Sequence, residues 1–190
     1  MIIDTGGAGF IGSAAIKKLN DQGIEKILVV DELGNSPKWK NLLGKKFSDY
    51  IHKDEFLKAL ENKNNFADAE AVIHFGACSS TTEQDTDFLM RNNYKYSRVL
   101  AEWALAKDIR FIYASSGATY GDGSLGFSDD DTVTLKLRPL NKYGYSKHIF
   151  DLWVLQNNLT NKVAGLKFFN VFGPNEYHKE DMTSIVYKAY

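Results

Sequence analysis

The sequence predicts an α/β protein built on a doubly wound parallel sheet. Three observations lead there. Apolar, β-branched runs alternate with helical patterns along nearly the whole chain, a glycine-rich turn separates the first strand from the first helix, and an acid closes the second strand. Parallel strands joined by right-handed helical crossovers produce this alternation.

Taken in order, Ile2-Ile3-Asp4-Thr5 is a short strand, and residues 10–20 form a helix with Ile11, Ala15 and Leu19 on one stripe. Ile27-Leu28-Val29-Val30 is apolar on both faces, as a strand covered on both sides requires. Residues 54–61 read as a short helix, 71–75 as the next strand, 85–107 as a long helix and 110–114 as a further strand. A polar loop then runs to Pro139, followed by a helix over 143–157, a strand over 163–169 and a polar, helical end. Pro37, Pro139 and Pro174 all fall at places read as loops. A dinucleotide-binding domain is expected over residues 1–170, with 171–190 the beginning of a smaller substrate-binding region. Met182, Ile185, Val186 and Tyr190 make an apolar stripe that reaches the last residue without a cap, so that region is expected to be truncated.

Composition excludes several classes. With 13% aromatic and 44% hydrophobic residues the chain carries too much apolar surface to stay disordered. No apolar run approaches the ~20 residues that span a bilayer. A formal charge of -1 supplies no field for nucleic acid or an anionic membrane. The single cysteine, Cys78, excludes a disulfide framework, and the first residues show no secretion signal, so a cytoplasmic protein is expected.

Thr5-Gly6-Gly7-Ala8-Gly9-Phe10-Ile11-Gly12 satisfies Gly-x-Gly-x-x-Gly through Gly7, Gly9 and Gly12, and Gly-x-x-Gly-x-x-Gly through Gly6, Gly9 and Gly12. Such glycines permit the tight turn, let backbone approach a pyrophosphate, and let the helix pack on the strand. The helix N-terminus then presents free N–H groups to the phosphates. Asp31 stands nineteen positions after Gly12, where a carboxylate can accept from the adenosine ribose hydroxyls. This context makes the sheet Rossmann-like. It leaves the nucleotide open: Asp31 argues for the free 2′-hydroxyl of NAD, whereas Lys38 and Lys53 could reach a 2′-phosphate of NADP.

Tyr143 and Lys147 lie four apart at the start of a helix and share a face. An ammonium beside a tyrosine favours the phenolate, by about 1–3 pKa units at short range, and such a tyrosine can take a proton from a sugar hydroxyl. Ser115, Ser116 and Thr119 follow the strand at 110–114, where a hydroxyl can hold the reacting oxygen. Four scattered histidines and one cysteine show no metal-ligand spacing, and no Gly-x-Ser-x-Gly elbow marks a serine hydrolase.

Together with His74-Phe75-Gly76-Ala77, Ala114-Ser115-Ser116, Tyr143-Gly144-Tyr145-Ser146-Lys147 and Asn170-Val171-Phe172-Gly173-Pro174, these motifs resemble the extended short-chain dehydrogenase/reductase family of nucleotide-sugar enzymes. More narrowly, the run Gly76-Ala77-Cys78-Ser79-Ser80-Thr81-Thr82-Glu83 and the stretches at 113–121 and 168–179 look like its ADP-L-glycero-D-manno-heptose 6-epimerases, over nearly all 190 residues. That resemblance implies an isomerase of lipopolysaccharide heptose biosynthesis, which oxidises C6″ of an ADP-heptose transiently with bound NADP and reduces it from the other face. It implies a homo-oligomer as well. It puts catalytic roles on Tyr143, Lys179, Ser116 and Lys147. Cofactor positions fall on Gly6, Gly9, Phe10, Ile11, Gly12, Asp31, Glu32, Lys38, Lys53, Phe75, Gly76, Ala77, Cys78, Ser79, Asn92 and Lys147. Substrate positions fall on Ser116, Asn170, Val171 and Lys179.

Three departures stand out. Asp4 replaces an apolar strand residue, Phe75 stands where an acid is expected, and a further C-terminal portion of the family is missing. Two other readings remain open: a 4-epimerase or 4,6-dehydratase acting on a UDP- or dTDP-sugar, and a non-catalytic NAD(P)-binding fragment.

Overall fold

A computed structural model describes residues 1–62, 65–176, 178–179 and 182–189. Tyr177 and Tyr190, part of the motifs above, lie outside them. The chain divides into two compact units, Met1–Gly76 with Asn170–Tyr190, and Ala77–Phe169.

In the first unit β1 (Ile2–Thr5) leads through the glycine turn into α1 (Phe10–Asp21), and β2 (Ile27–Asp31) follows. Then come a 3₁₀ helix (Pro37–Leu42), β3 (Asp49–His52), α2 (Lys53–Leu60) and β4 (Ala71–His74). The strands lie in the order β3-β2-β1-β4, all parallel. Every residue of β2 is buried, which is why its run is apolar on both faces. Ile16, Ile27 and Val29 form the centre of this core, with Leu19, Leu42, Phe47 and Tyr50 against them. A short helix, Ile185–Ala189, ends the unit.

The second unit holds a nearly continuous helical segment: α3 (Thr86–Leu89), a wide π turn (Met90–Lys95) and α4 (Tyr96–Ala106). β5 (Arg110–Ser116) runs into a 3₁₀ turn (Gly117–Tyr120), and α5 (Asp131–Thr134) interrupts the loop before α6 (Lys142–Gln156). β6 (Val163–Phe168) pairs in parallel with β5. Phe111, Tyr113 and Phe150 pack ring against ring between β5 and α6.

The α/β class with parallel strands is as expected; several details differ. β3 is a half-exposed strand without an apolar run, so periodicity does not signal it. The helix expected at 85–107 is interrupted by the π turn, whose widening leaves no mark in a 3.6-residue pattern. Pro37 is not in a loop: it opens a 3₁₀ helix, where a missing N–H costs nothing. Among the described residues no helix is long and apolar enough to cross a membrane.

Asp4, in the middle of β1, has no exposed surface, and neither carboxyl oxygen has a hydrogen-bond partner. Burial first, and the charge of Asp31 second, push its pKa well up. The unfolded chain ionises this group near 3.8. The resulting penalty is therefore absent in acid, grows as pH rises past that value, and levels off above the folded-state pKa. An unsatisfied buried polar group costs about 1–3 kcal/mol, and a buried valine would contribute about 1.5–3 kcal/mol in its place. Asp4→Val should raise the unfolding midpoint, at about 2–4 °C per kcal/mol for a chain of this size. Thermal unfolding at pH 4.5 and 7.5 checks this: the gain should be larger at 7.5, and a lower midpoint for valine would reveal a partner for the carboxyl.

Candidate functional site

In the first unit the glycine loop closes on itself. Gly6, at φ +76°, lies so close to the top of β4 that a Cβ there would sit 2.6 Å from the Gly76 nitrogen. A Cβ on Gly12 would sit 2.3 Å from the Gly6 carbonyl oxygen. α1 has no side-chain cap at Gly9 and no acid in its first turn. The first-turn amides of Phe10 and Ile11 thus face an uncapped cradle that fits the phosphates of a dinucleotide.

Asp31 stands beside this cradle. Its Oδ2 accepts from Ala8 N–H at 2.9 Å, and its Oδ1 from Glu32 N–H at 2.7 Å and Lys38 Nζ at 2.6 Å. Lys53 Nζ pairs with Glu32 at 2.7 Å, and that bond with its charge lowers the Glu32 pKa. Two acids and two lysines therefore meet at the ends of β2 and β3. Phe75 donates its N–H to the Thr5 carbonyl at 2.8 Å, extending the β1–β4 ladder, and is half-buried beside Gly76.

Lys179 is placed in the same unit. Its ammonium lies 5.1 Å from the Phe10 ring, at the start of α1. Asn170 is exposed and Val171 half-buried.

The second unit gathers Ser116, Tyr143 and Lys147. Side chains alternate along β5, so Ser115 turns to Asp151 at 2.7 Å while Ser116 hydrogen-bonds Tyr143. Lys147, almost wholly buried, donates to the Ala114 carbonyl at 2.9 Å. Desolvation lowers its pKa to about 8 against the opposing pull of Asp151 and Cys78. The expected depression of the Tyr143 pKa is not seen. Burial raises it, Cys78 adds to the rise, and the Ser116 hydrogen bond opposes them. The physical reason is burial, which disfavours the phenolate more than the Ser116 hydrogen bond favours it.

Behind these groups runs a polar network. Asp151 accepts from Tyr113, Ser115 and Lys167, Lys167 donates also to Thr119 at 2.7 Å, and Thr119 donates to the Ser116 carbonyl at 2.7 Å.

Sequence reasoning missed Asn93. It is buried in the π turn, its Oδ1 accepts from Cys78 N–H at 2.9 Å, and its Nδ2 donates to the Cys78 carbonyl and to Ser146 Oγ, both at 3.0 Å. It thereby fixes the backbone within the candidate stretch Ala77-Cys78-Ser79. Its neighbour Asn92 is half-buried. An asparagine pair in a helical run is the one signal available, and the slip that selects Asn93 is invisible to periodicity. Among the described residues no group of three or more His, Cys, Asp or Glu side chains is placed to hold a metal ion.

A glycine cradle at a helix N-terminus, acids and lysines at the adjoining strand ends, and a Ser–Tyr–Lys set after β5 define the nucleotide-dependent short-chain class. The chain belongs to the NAD dependent epimerase/dehydratase family, whose pattern it matches over residues 2–189. Over all 190 residues it is 59% identical to an ADP-L-glycero-D-manno-heptose-6-epimerase of Nitratidesulfovibrio vulgaris, covering 59% of that protein. It is 53% identical to the Fusobacterium nucleatum protein of the same name, covering 58% of it. The crystal structure of the Helicobacter pylori ADP-L-glycero-D-manno-heptose-6-epimerase superposes with a TM-score of 0.80 at 31% identity, over 98% of this chain and 60% of that one. The chain spans a little under three-fifths of the length of the curated relatives it matches.

Gly12→Ala tests the cradle. The added Cβ meets backbone 2.3 Å away, so the loop or α1 has to shift and affinity for a nicotinamide dinucleotide should fall at least tenfold, about 1.4 kcal/mol. A titration giving parent affinity in a folded variant would remove the loop from the site.

Proposed function

We propose that this chain is the nucleotide-binding part, with most of the catalytic groups, of an NADP-dependent epimerase that inverts C6″ of ADP-glycero-manno-heptose for lipopolysaccharide inner core. Residues 1–170 serve as its dinucleotide domain and 171–190 as the beginning of its substrate region. It works in the cytoplasm as a homo-oligomer. The observation that carries the proposal is Tyr143, bonded to Ser116, one helical turn from the buried Lys147.

NADP is favoured over NAD by the occupancy of Asp31. Its two oxygens already take two N–H groups and Lys38, which leaves it a poor acceptor for a 2′-hydroxyl. Lys38 and Lys53 bring two positive charges to the same corner, suited to a 2′-phosphate.

A nicotinamide dinucleotide held by the glycine loop would supply hydride acceptance from C6″ and its return to the opposite face. Ser116 holds the C6″ oxygen. Tyr143 exchanges the hydroxyl proton in one orientation of the sugar, and Lys179 in the other. As the site stands, Tyr143 holds its proton, because burial disfavours the phenolate. Acting as a base requires the phenolate to be stabilised, which the charge of Lys147 one helical turn away can do while one of its three N–H groups stays on the Ala114 carbonyl.

The test joins this chain to the residues that follow the match in the Nitratidesulfovibrio vulgaris relative and follows both epimers. Tyr143→Phe and Lys179→Met should each lower epimerisation about 10²–10⁴-fold, the usual contribution of one acid–base group. Epimerisation at the parent rate in Lys179→Met would sink the second base. Inversion at C4″ of a UDP-sugar, with none of the ADP-heptose, would replace the substrate assignment.

A further inference from the structure

We propose that Asn41 is a positioning residue that ties the phosphate loop to the segment carrying Lys179, so that nucleotide binding and the placement of Lys179 are coupled. The proposal rests on the reading of the glycine loop as the nucleotide site and of Lys179 as a base.

Asn41 lies in the 3₁₀ helix after β2 and has no exposed surface. Its Nδ2 donates to the Ala8 carbonyl at 2.9 Å and to His178 Nδ1 at 3.2 Å, and stands 3.4 Å from the Asn175 carbonyl. Burial, the leading influence on His178, favours its neutral ring, and a bond to the Asn175 backbone opposes this. Ala8 is thereby held at both ends, its N–H on Asp31 and its carbonyl on Asn41.

The far side of this link is itself stiff. The buried Glu176 carboxylate accepts from Gly173 N–H at 2.9 Å, Ser184 N–H at 2.7 Å and Ser184 Oγ at 2.9 Å. Two further contacts dock it on the first turn of α1. Asn175 Nδ2 donates to Ser13 Oγ at 3.1 Å, and the Lys179 ammonium lies over Phe10. A shift of the loop at Ala8 is therefore passed through the Asn41 amide to Asn175 and His178, beside the two contacts with α1. The Asn41 nitrogen faces acceptors, while its Oδ1 is buried with no hydrogen-bond partner among the described residues.

Hydrogen exchange by mass spectrometry tests the link in this chain, with and without saturating NADP, and needs no turnover. In the parent, NADP should slow exchange at residues 5–12 and, severalfold, at 173–184. Asn41→Leu keeps the size, adds no charge and removes the donors. It should keep the slowing at 5–12 and lose it at 173–184, a change that a general loss of stability does not produce. His178→Phe removes one acceptor while Asn41 keeps Ala8, and should weaken the slowing at 173–184 alone; it decides the matter if Asn41→Leu does not fold. Full NADP-dependent slowing at 173–184 in the variant measured overturns the coupling, as does its absence in the parent while 5–12 responds. No NADP binding by the parent overturns the nucleotide reading and the coupling together.

Discussion

The first unit depends on how one buried carboxylate is satisfied. Burying a charge is costly unless it is paired and hydrogen-bonded, and Asp31 meets that demand with three donors from three places: the glycine loop, the chain after β2, and Lys38 in the 3₁₀ helix. The loop is held in shape by the same group that ends the strand beside it. Asp4 shows the opposite outcome in the same unit. It is buried too, has no donor among the described residues, and feels Asp31 as a further reason to keep its proton. What separates the two acids is not depth but the supply of N–H groups within reach.

Asp151 does comparable work in the second unit. It gathers a tyrosine, a serine and a lysine, and through Lys167 and Thr119 the network reaches the carbonyl of Ser116. The hydroxyl proposed to hold the reacting oxygen thus sits on backbone braced from behind. Such networks stiffen a core when every member is satisfied, and a fixed first shell is what acid–base chemistry on a small substrate requires.

Much of this was legible in the residues. Gly6 and Gly12 declare a cradle because a side chain there would run into backbone, and Ile27-Leu28-Val29-Val30 declares a doubly covered strand. Tyr143 and Lys147 announce themselves by helical spacing. What was not legible depends on long-range placement. Helical spacing predicts that Tyr143 loses its proton readily, and the structure reverses this because the phenol is buried, which no local pattern announces. Asn41 and Asn93 look like ordinary polar residues until the backbone groups they serve are seen. β3 is hidden because an edge strand needs little apolar sequence.

The alternation at the end of β5 has a consequence for how this chain can change. Ser115 and Ser116 are chemically identical, yet one faces a structural carboxylate and the other the tyrosine proposed as a base. Hydrophobic strands tolerate conservative exchange because each face asks only for volume. Here each face asks for a hydroxyl, so the doublet looks tolerant of a slip while its neighbours are not: moving the strand by one residue would drive Tyr113 and Phe111 out of their aromatic packing. Insertions and deletions in the family should therefore collect after Tyr120 and spare residues 110–120, since Thr119 still braces the Ser116 carbonyl.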